Sequence, residues 1–442
     1  MKPSVNSRAF EVTHRSVFAL VWPIMLASIT VPFMGITDTA VIGQLGDAAL
    51  LGGLAIGAIF MDLIFTGLNF LRSGTVGLTA QALGAHDHQE QNRVLHRAIL
   101  LSLLIGLLLF LLSAPILKFG LYLMNPTDAV ADAVSLYFSV RILAAPFTLL
   151  NYSILGWLLG LAQVRAGLAI QVFTSVVNII LSVYLGLIKG GGISGVAWAT
   201  FTSEVMATLL GLFFVYRHSG LVWTSWQALL DKVKIRRTLS LNTDIMIRSF
   251  VLLFAFSFFT AQGSRMGEVT LAANAVLFNF FFLSAFVLDG FANATEQLVG
   301  RAIGAHCRAA FDQAVRISMF WSGVLSVALF VFLMLFGPWL IDLLTTNELV
   351  RTEARTYLVW AALTGLFGVL AFQMDGVFIG ATWSADMRNM MVVSLAVYIL
   401  VWWVSMPLWH NHGLWLALEV FLGIRGLSLL FRLKTRRQAS FA

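Results

Sequence analysis

The sequence predicts an all-α integral membrane protein, with twelve transmembrane helices in two six-helix lobes related by pseudo-two-fold symmetry. Three observations carry this. The 442 residues are 59% hydrophobic and only 11% charged, where a soluble domain carries about 25% charge. Apolar runs near the length of a membrane-spanning helix recur twelve times. The chain also repeats itself: Ala82 to His86 reads ALGAH, and 220 residues later Ala302 to His306 reads AIGAH.

The spans fall at roughly 16–42, 48–72, 94–116, 129–157, 163–187, 193–216, 242–263, 270–298, 314–336, 350–380, 389–408 and 413–433. The N-terminal segment leads into a long apolar run without a small-residue cleavage site, so that run reads as the first span and not as a signal peptide. The polar stretch from Arg217 to Leu239, with Lys232, Lys234, Arg236 and Arg237, is the one plausible linker, and it lies at the halfway point. The expected division is therefore 1–216 for the N-terminal lobe, 217–240 for a cytoplasmic linker and 241–442 for the C-terminal lobe.

The repeat extends beyond one pentapeptide. At the same offset Thr75 meets Thr295, Tyr137 meets Tyr357, Gly156 meets Gly376 and Gly160 meets Gly380. Leu45-Gly46-Asp47 meets Met266-Gly267-Glu268 one residue out of step. Six spans per half give the two repeats the same orientation, related by an axis along the membrane normal.

The net charge of +7 belongs to topology, not to nucleic acid. Of 28 basic residues, twenty lie in the termini and even-numbered loops, Lys2 and Arg8 among them. Five lie on the opposite face. Basic residues favour the cytoplasm, so both termini are expected inside. The single Cys307 excludes an intramolecular disulfide. There is no nucleotide-binding loop, no H-E-x-x-H and no G-x-S-x-G. An ATP-driven pump is excluded, and an intramembrane enzyme lacks a nucleophile or metal constellation.

What remains is a small set of charges inside the spans: Arg141, Arg248 and Arg425, against Asp38, Asp62, Glu204, Asp244, Asp289, Glu296, Asp375 and Glu419. Such groups are costly in a bilayer and usually face a cavity or a partner. Asp38 lies about four turns beyond Pro23, which can bend the first span. It reads either as a proton-carrying switch above a bend or as an acid capping a helix end. Asp375 reads as a second ion or substrate contact, or as half of a structural pair. Asp244 and Arg248 are four apart on one helix face and read as a mutual structural pair. Asn178, with Ser182 one turn later, can tune a carboxylate or bond two helices together. Gly156/Gly160 and Gly376/Gly380 read as close helix packing. His86/His88 and His410/His412 read as solvated loop histidines.

These residues resemble a known family. Val21-Trp22-Pro23-Ile24, then Thr37-Asp38-Thr39-Ala40-Val41-Ile42-Gly43 with Leu45-Gly46, is similar to the first span of multidrug and toxic compound extrusion (MATE) transporters. Gln81 to Ala85 and Arg301 to Ala305 look like that family's paired motif after spans two and eight. Asn242-x-Asp244-x-x-x-Arg248, with Asp375 to Thr382, resembles the branch named after DNA-damage-inducible protein F.

The resemblance implies the MATE fold and a secondary antiporter that alternates between outward-open and inward-open states. It exports organic, often cationic or amphipathic, compounds in exchange for H⁺ or Na⁺. Asp38 is then the ion carrier with Asn178 beside it, and Pro23 the bending switch. Tyr137, Asn151, Ser182, Thr200 and Asp375 are expected around the substrate cavity. Many members carry a second aspartate where this chain has Ser182. Members with a C-lobe Na⁺ site carry a glutamate where this chain has Leu252. Both departures favour H⁺. No cofactor is expected. The expected partners are small organic molecules and the lipid bilayer, with no nucleic acid, and the expected state is a monomer in the inner membrane. A flippase for a lipid-linked precursor is the alternative, although three intramembrane arginines argue weakly for the basic cavity it would need.

Overall fold

A computed structural model describes residues 10–220 and 225–441. Lys2, Arg8 and residues 221–224 of the expected linker lie outside the described residues. The first half contains α1 (His14–Gly43), α2 (Ala48–Leu68), α3 (Phe70–Gly84), α4 (His88–Leu111), α5 (Ser113–Met124), α6 (Asp128–Arg141), α7 (Ala145–Gly160), α8 (Val164–Leu181) and α9 (Gly192–Ser219). The second contains α10 (Trp226–Leu229), α11 (Lys232–Ser264), α12 (Glu268–Gly304), α13 (Arg308–Leu344), α14 (Glu348–Gly380), α15 (Ser384–Trp409) and α16 (Asn411–Phe441). Among the described residues, twelve helical segments are long and apolar enough to cross a membrane.

Several spans depart from the expected ones, three of them as follows. The second is broken between α2 and α3 at Asn69, whose backbone N–H bonds Thr66 O in a tightened turn. The third stops at Leu111 rather than 116, and α5 restarts at Ser113. Pro115 has no N–H to give to Leu111, so the first helix cannot run through it. The seventh begins ten residues early: Lys232 to Arg237, expected as linker, form the first turns of α11.

The chain divides into two compact units. One comprises residues 26–79 and 87–242. The other comprises the segment ending at Met25, residues 80–86 and residues 243–442. Helix α1 thus contributes to both, changing unit between Met25 and Leu26. In the first unit Trp157, Ile154, Leu158 and Leu95 form a buried core, and Trp157 Nε1 donates to Gln91 O at 2.9 Å. In the second, Phe259, Phe281, Trp415 and Phe421 pack together, and Trp415 Nε1 donates to Asn274 Oδ1 at 2.9 Å. Outward faces stay apolar, as with Leu104, Leu107 and Leu108 on α4 and Leu335 and Trp339 on α13. That pattern suits helices solvated by lipid.

The 220-residue repeat is written into the backbone. Non-glycine residues in the left-handed region recur at that offset: His86 with His306, and Ala162 with Thr382. Gly190 is matched by His410, also at positive φ. Helix packing repeats as well. A Cβ on Gly156 would collide with Arg72 O, and one on Gly376 would collide with Ala292 O. Gly160 abuts Val76 O and Gly380 abuts Glu296 O. The one-residue slip near Gly46 and Gly267 has a structural cause. Asp47 occupies the N-cap of α2 and accepts from Ala49 N and Leu50 N, while Gly267 holds the equivalent N-cap of α12 at φ 111°. The caps keep the offset and the glycines do not.

Candidate functional site

In the unit of residues 26–79 and 87–242, several helices each deliver polar side chains at helical spacing. On α6 these are Tyr137 and Arg141, on α8 Asn178 with Ser182 just after it, and on α9 Thr200 and Glu204. A spacing of four places both members of each pair on one helix face. Helix α1 adds Asp38, α2 adds Asp62 and α7 adds Asn151.

The contacts tie these residues together in small groups, and Arg141 lies within electrostatic reach of several of them. Ser182 Oγ donates to Asp38 Oδ1 at 2.7 Å. Around Asp38, Thr37 and Thr39 turn their hydroxyls back onto Phe33 O and Gly35 O, which leaves the carboxylate as the group that reaches another helix. Ser182 is also the first residue of a π-helical stretch, Ser182–Ile188. Such bulges widen the turn and occur often at functional sites. Asn178 is fully buried and donates Nδ2 to Thr200 Oγ1 at 3.0 Å, while its Oδ1 has no partner among the described residues. Asn151 Nδ2 donates to Glu204 Oε2 at 2.7 Å and to Glu204 O at 3.0 Å, and its Oδ1 accepts from Thr208 Oγ1 at 3.0 Å. Tyr137 is buried, with its ring against Gly57 of α2. Arg141 stands beside Tyr137 and within electrostatic reach of Asp38, Asp62 and Glu204. Its Nε and Nη1 are buried without a hydrogen-bond partner among the described residues, and its guanidinium carbon is 5.8 Å from the centre of the Phe65 ring.

Six of the expected site residues therefore share one unit: Asp38, Tyr137, Asn151, Asn178, Ser182 and Thr200. Glu204 and Arg141, noted in the sequence as intramembrane charges but given no role, belong with them. The signal was available: Arg141 follows Tyr137 by four, and Glu204 follows Thr200 by four. Pro23 lies inside the continuous helix α1, in the part that clusters with the other unit.

Asp375 belongs to that other unit. It is 4% exposed and accepts from two guanidinium groups, Arg248 of α11 and Arg425 of α16. This corrects the expected Asp244–Arg248 pair. Asp244 instead accepts from Arg388 Nη1 at 2.5 Å and Ser384 Oγ at 2.7 Å, both on α15. Long side chains on a helix face reach neighbouring helices as readily as their own next turn, and burial between helices favours those partners. His412 is likewise engaged, accepting from Trp360 Nε1 at 2.9 Å.

The fold agrees with that of known proteins. The MatE family pattern matches residues 23–184 and 245–404. The chain is 38% identical to DNA damage-inducible protein F of Escherichia coli K12, over 94% of this chain and 91% of that protein. It is 27% identical to the probable multidrug resistance protein NorM of Caulobacter vibrioides, over 88% and 84%. Among solved structures it superposes with TM-score 0.88 on a MOP superfamily transporter from Pyrococcus furiosus, at 17% identity with 97% of each chain covered. A MATE structure in the bent conformation gives 0.87 at 19% identity, with 96% of each covered. None of these relatives is described as a flippase. The chain belongs to the MatE family of multidrug and toxic compound efflux transporters.

Proposed function

We propose that this transporter is an antiporter that exports organic, cationic or amphipathic compounds in exchange for H⁺, by alternating access. The observation that carries the reading is Asp38. Its carboxylate is bonded by a hydroxyl, Ser182 Oγ, and not by a basic residue, so it can take and release a cation without breaking an ion pair. A single carboxylate with one hydroxyl partner suits a proton better than Na⁺, which calls for several oxygen ligands. The surrounding charges favour a cationic cargo: three carboxylates, Asp38, Asp62 and Glu204, face one guanidinium, Arg141. Asn178, Thr200, Asn151 and Tyr137 supply the neutral contacts.

Pro23 acts in this scheme as the bending point of α1, and the protein works as a monomer in the inner membrane with both termini in the cytoplasm. Twenty basic residues in the termini and even-numbered loops support that orientation. The test is efflux of a fluorescent organic cation from proteoliposomes, with ΔpH and ΔNa⁺ imposed separately. ΔpH alone should drive transport, and Asp38→Asn should abolish it. Undiminished ΔpH-driven transport by Asp38→Asn would falsify the proton-carrier role, and transport driven by ΔNa⁺ alone would overturn the choice of ion.

A further inference from the structure

The first turns of α11 reach past the bilayer core. The helix runs from Lys232 to Ser264, 33 residues, or about 50 Å at roughly 1.5 Å per residue. About 20 residues cross the hydrocarbon, and the apolar run at 242–263 supplies them. Residues 232–240 therefore stand at the level of the lipid headgroups. All of them belong to the unit of residues 26–79 and 87–242.

This stretch reads KVKIRRTLS, with four basic residues and no acid. A spacing of four puts Lys232, Arg236 and Ser240 in one stripe of the helix, with Val233 and Arg237 in the stripe beside it. These five residues line an open groove of about 480 Å³.

The nearby acids are engaged away from the groove. Glu90 Oε1 of α4 lies 2.9 Å from Arg97 Nη2 and 3.3 Å from Lys234 Nζ. Arg237 is within electrostatic reach of the same Glu90 and Arg97. Asp231 holds the start of α11, where its Oδ1 accepts from Val233 N at 2.9 Å and from Lys234 N at 3.2 Å. Lys232 and Arg236 are exposed, and among the described residues neither forms an ion pair. The groove thus presents positive charge that nothing in its own unit neutralises.

Its chemistry fits a lipid better than a soluble anion. Arginine forks bind phosphate oxygens two at a time, and a lysine and a serine hydroxyl add further donors. Val233 inside the groove is 76% exposed, and Leu230 and Leu239 are exposed as well. Bare apolar side chains among cations match a phosphodiester that carries acyl chains, not a hydrated ion. Basic clusters beside a membrane helix attract anionic lipids.

We propose that the groove of Lys232, Arg236, Arg237 and Ser240 binds the phosphate headgroup of an anionic phospholipid, which anchors the first turns of α11 in the headgroup layer.

The experiment titrates the full-length protein, in a neutral detergent, with phosphatidylglycerol, phosphatidylcholine and inorganic phosphate. Native mass spectrometry counts the bound molecules. Phosphatidylglycerol should bind roughly tenfold or more tighter than phosphatidylcholine, since each basic residue near the headgroup is worth about fivefold. Lys232→Gln with Arg236→Gln should erase that preference. Arg432→Gln with Lys434→Gln, at the exposed end of α16, should leave it intact. Equal binding of the two lipids by the wild type overturns the proposal, as does an unchanged preference in the Lys232/Arg236 variant. Equal loss in the α16 variant also overturns it, because the effect would then be one of net charge. Inorganic phosphate that displaces the lipid at equal concentration marks an anion site and overturns the choice of a lipid. If the double variant does not fold, Arg236→Gln alone should weaken phosphatidylglycerol binding by about fivefold, and an unmoved affinity overturns the proposal equally.

Discussion

Ser182 bonds Asp38 Oδ1 at the point where α8 gives way to a π-helical turn. The wider turn changes the angle at which residues beyond Leu181 leave the helix, and Ser182 is the first of them. The hydroxyl that reaches the carboxylate is thus placed by a backbone irregularity.

Ser182→Ala should weaken ion-coupled transport while leaving the protein folded. A hydrogen bond to a charged group contributes about 1.5–3 kcal/mol, so the driven rate should fall by roughly tenfold or more. Initial efflux rates in proteoliposomes at fixed ΔpH measure this. A rate equal to wild type would show that the contact has no part in coupling.

Glu204→Gln should lower affinity for organic cations more than for neutral amphipaths. It removes one of three acids facing Arg141 but keeps the shape that Asn151 holds. Equilibrium binding of a cationic dye and of a neutral analogue separates the two effects. Equal loss for both would assign Glu204 a packing role.

Asp375→Asn should destabilise the protein, because Arg248 and Arg425 would both lose their acceptor. Breaking a buried pair from one side costs about 3–5 kcal/mol. Melting in detergent should shift well below wild type, with rescue when Arg425 is also replaced by Met. Normal melting with lost coupling would instead make Asp375 an ion carrier.

Gly376→Ala should lower stability by about 1–3 kcal/mol, since its Cβ would meet the Ala292 carbonyl. Gly323→Ala on α13 is the control: nothing lies within 4 Å of its Cβ position. There alanine should be neutral or stabilising by roughly 0.5–1 kcal/mol. Thermal unfolding of the two variants side by side decides whether tight packing explains the repeated glycines.

Much of this protein is legible in its sequence. Twelve spans and the 220-residue repeat follow from hydropathy and from residues that backbone geometry restricts. Gly156, Gly160, Gly376 and Gly380 stand where helices touch backbone to backbone, a requirement that leaves its mark on residue type. The repeat fails at the charges, where Asp38 falls opposite Phe258, Asn178 opposite Tyr398 and Asp375 opposite Leu155. Those positions are free of the packing constraint and carry what differs between the halves.

Side-chain partnership was decided by the tertiary structure. A spacing of four made Asp244 and Arg248 look like a pair, yet each bonds a different helix. Nor does sequence order bring Ser182 to Asp38, 144 positions away, or Asn151 to Glu204, 53 away. The physical reason is that hydropathy and backbone strain act within one helix, whereas hydrogen bonds and ion pairs depend on which faces pack together. The sequence by itself determined the helices and their doubling. Tertiary packing alone decided which carboxylate is bonded by arginines and which by a hydroxyl.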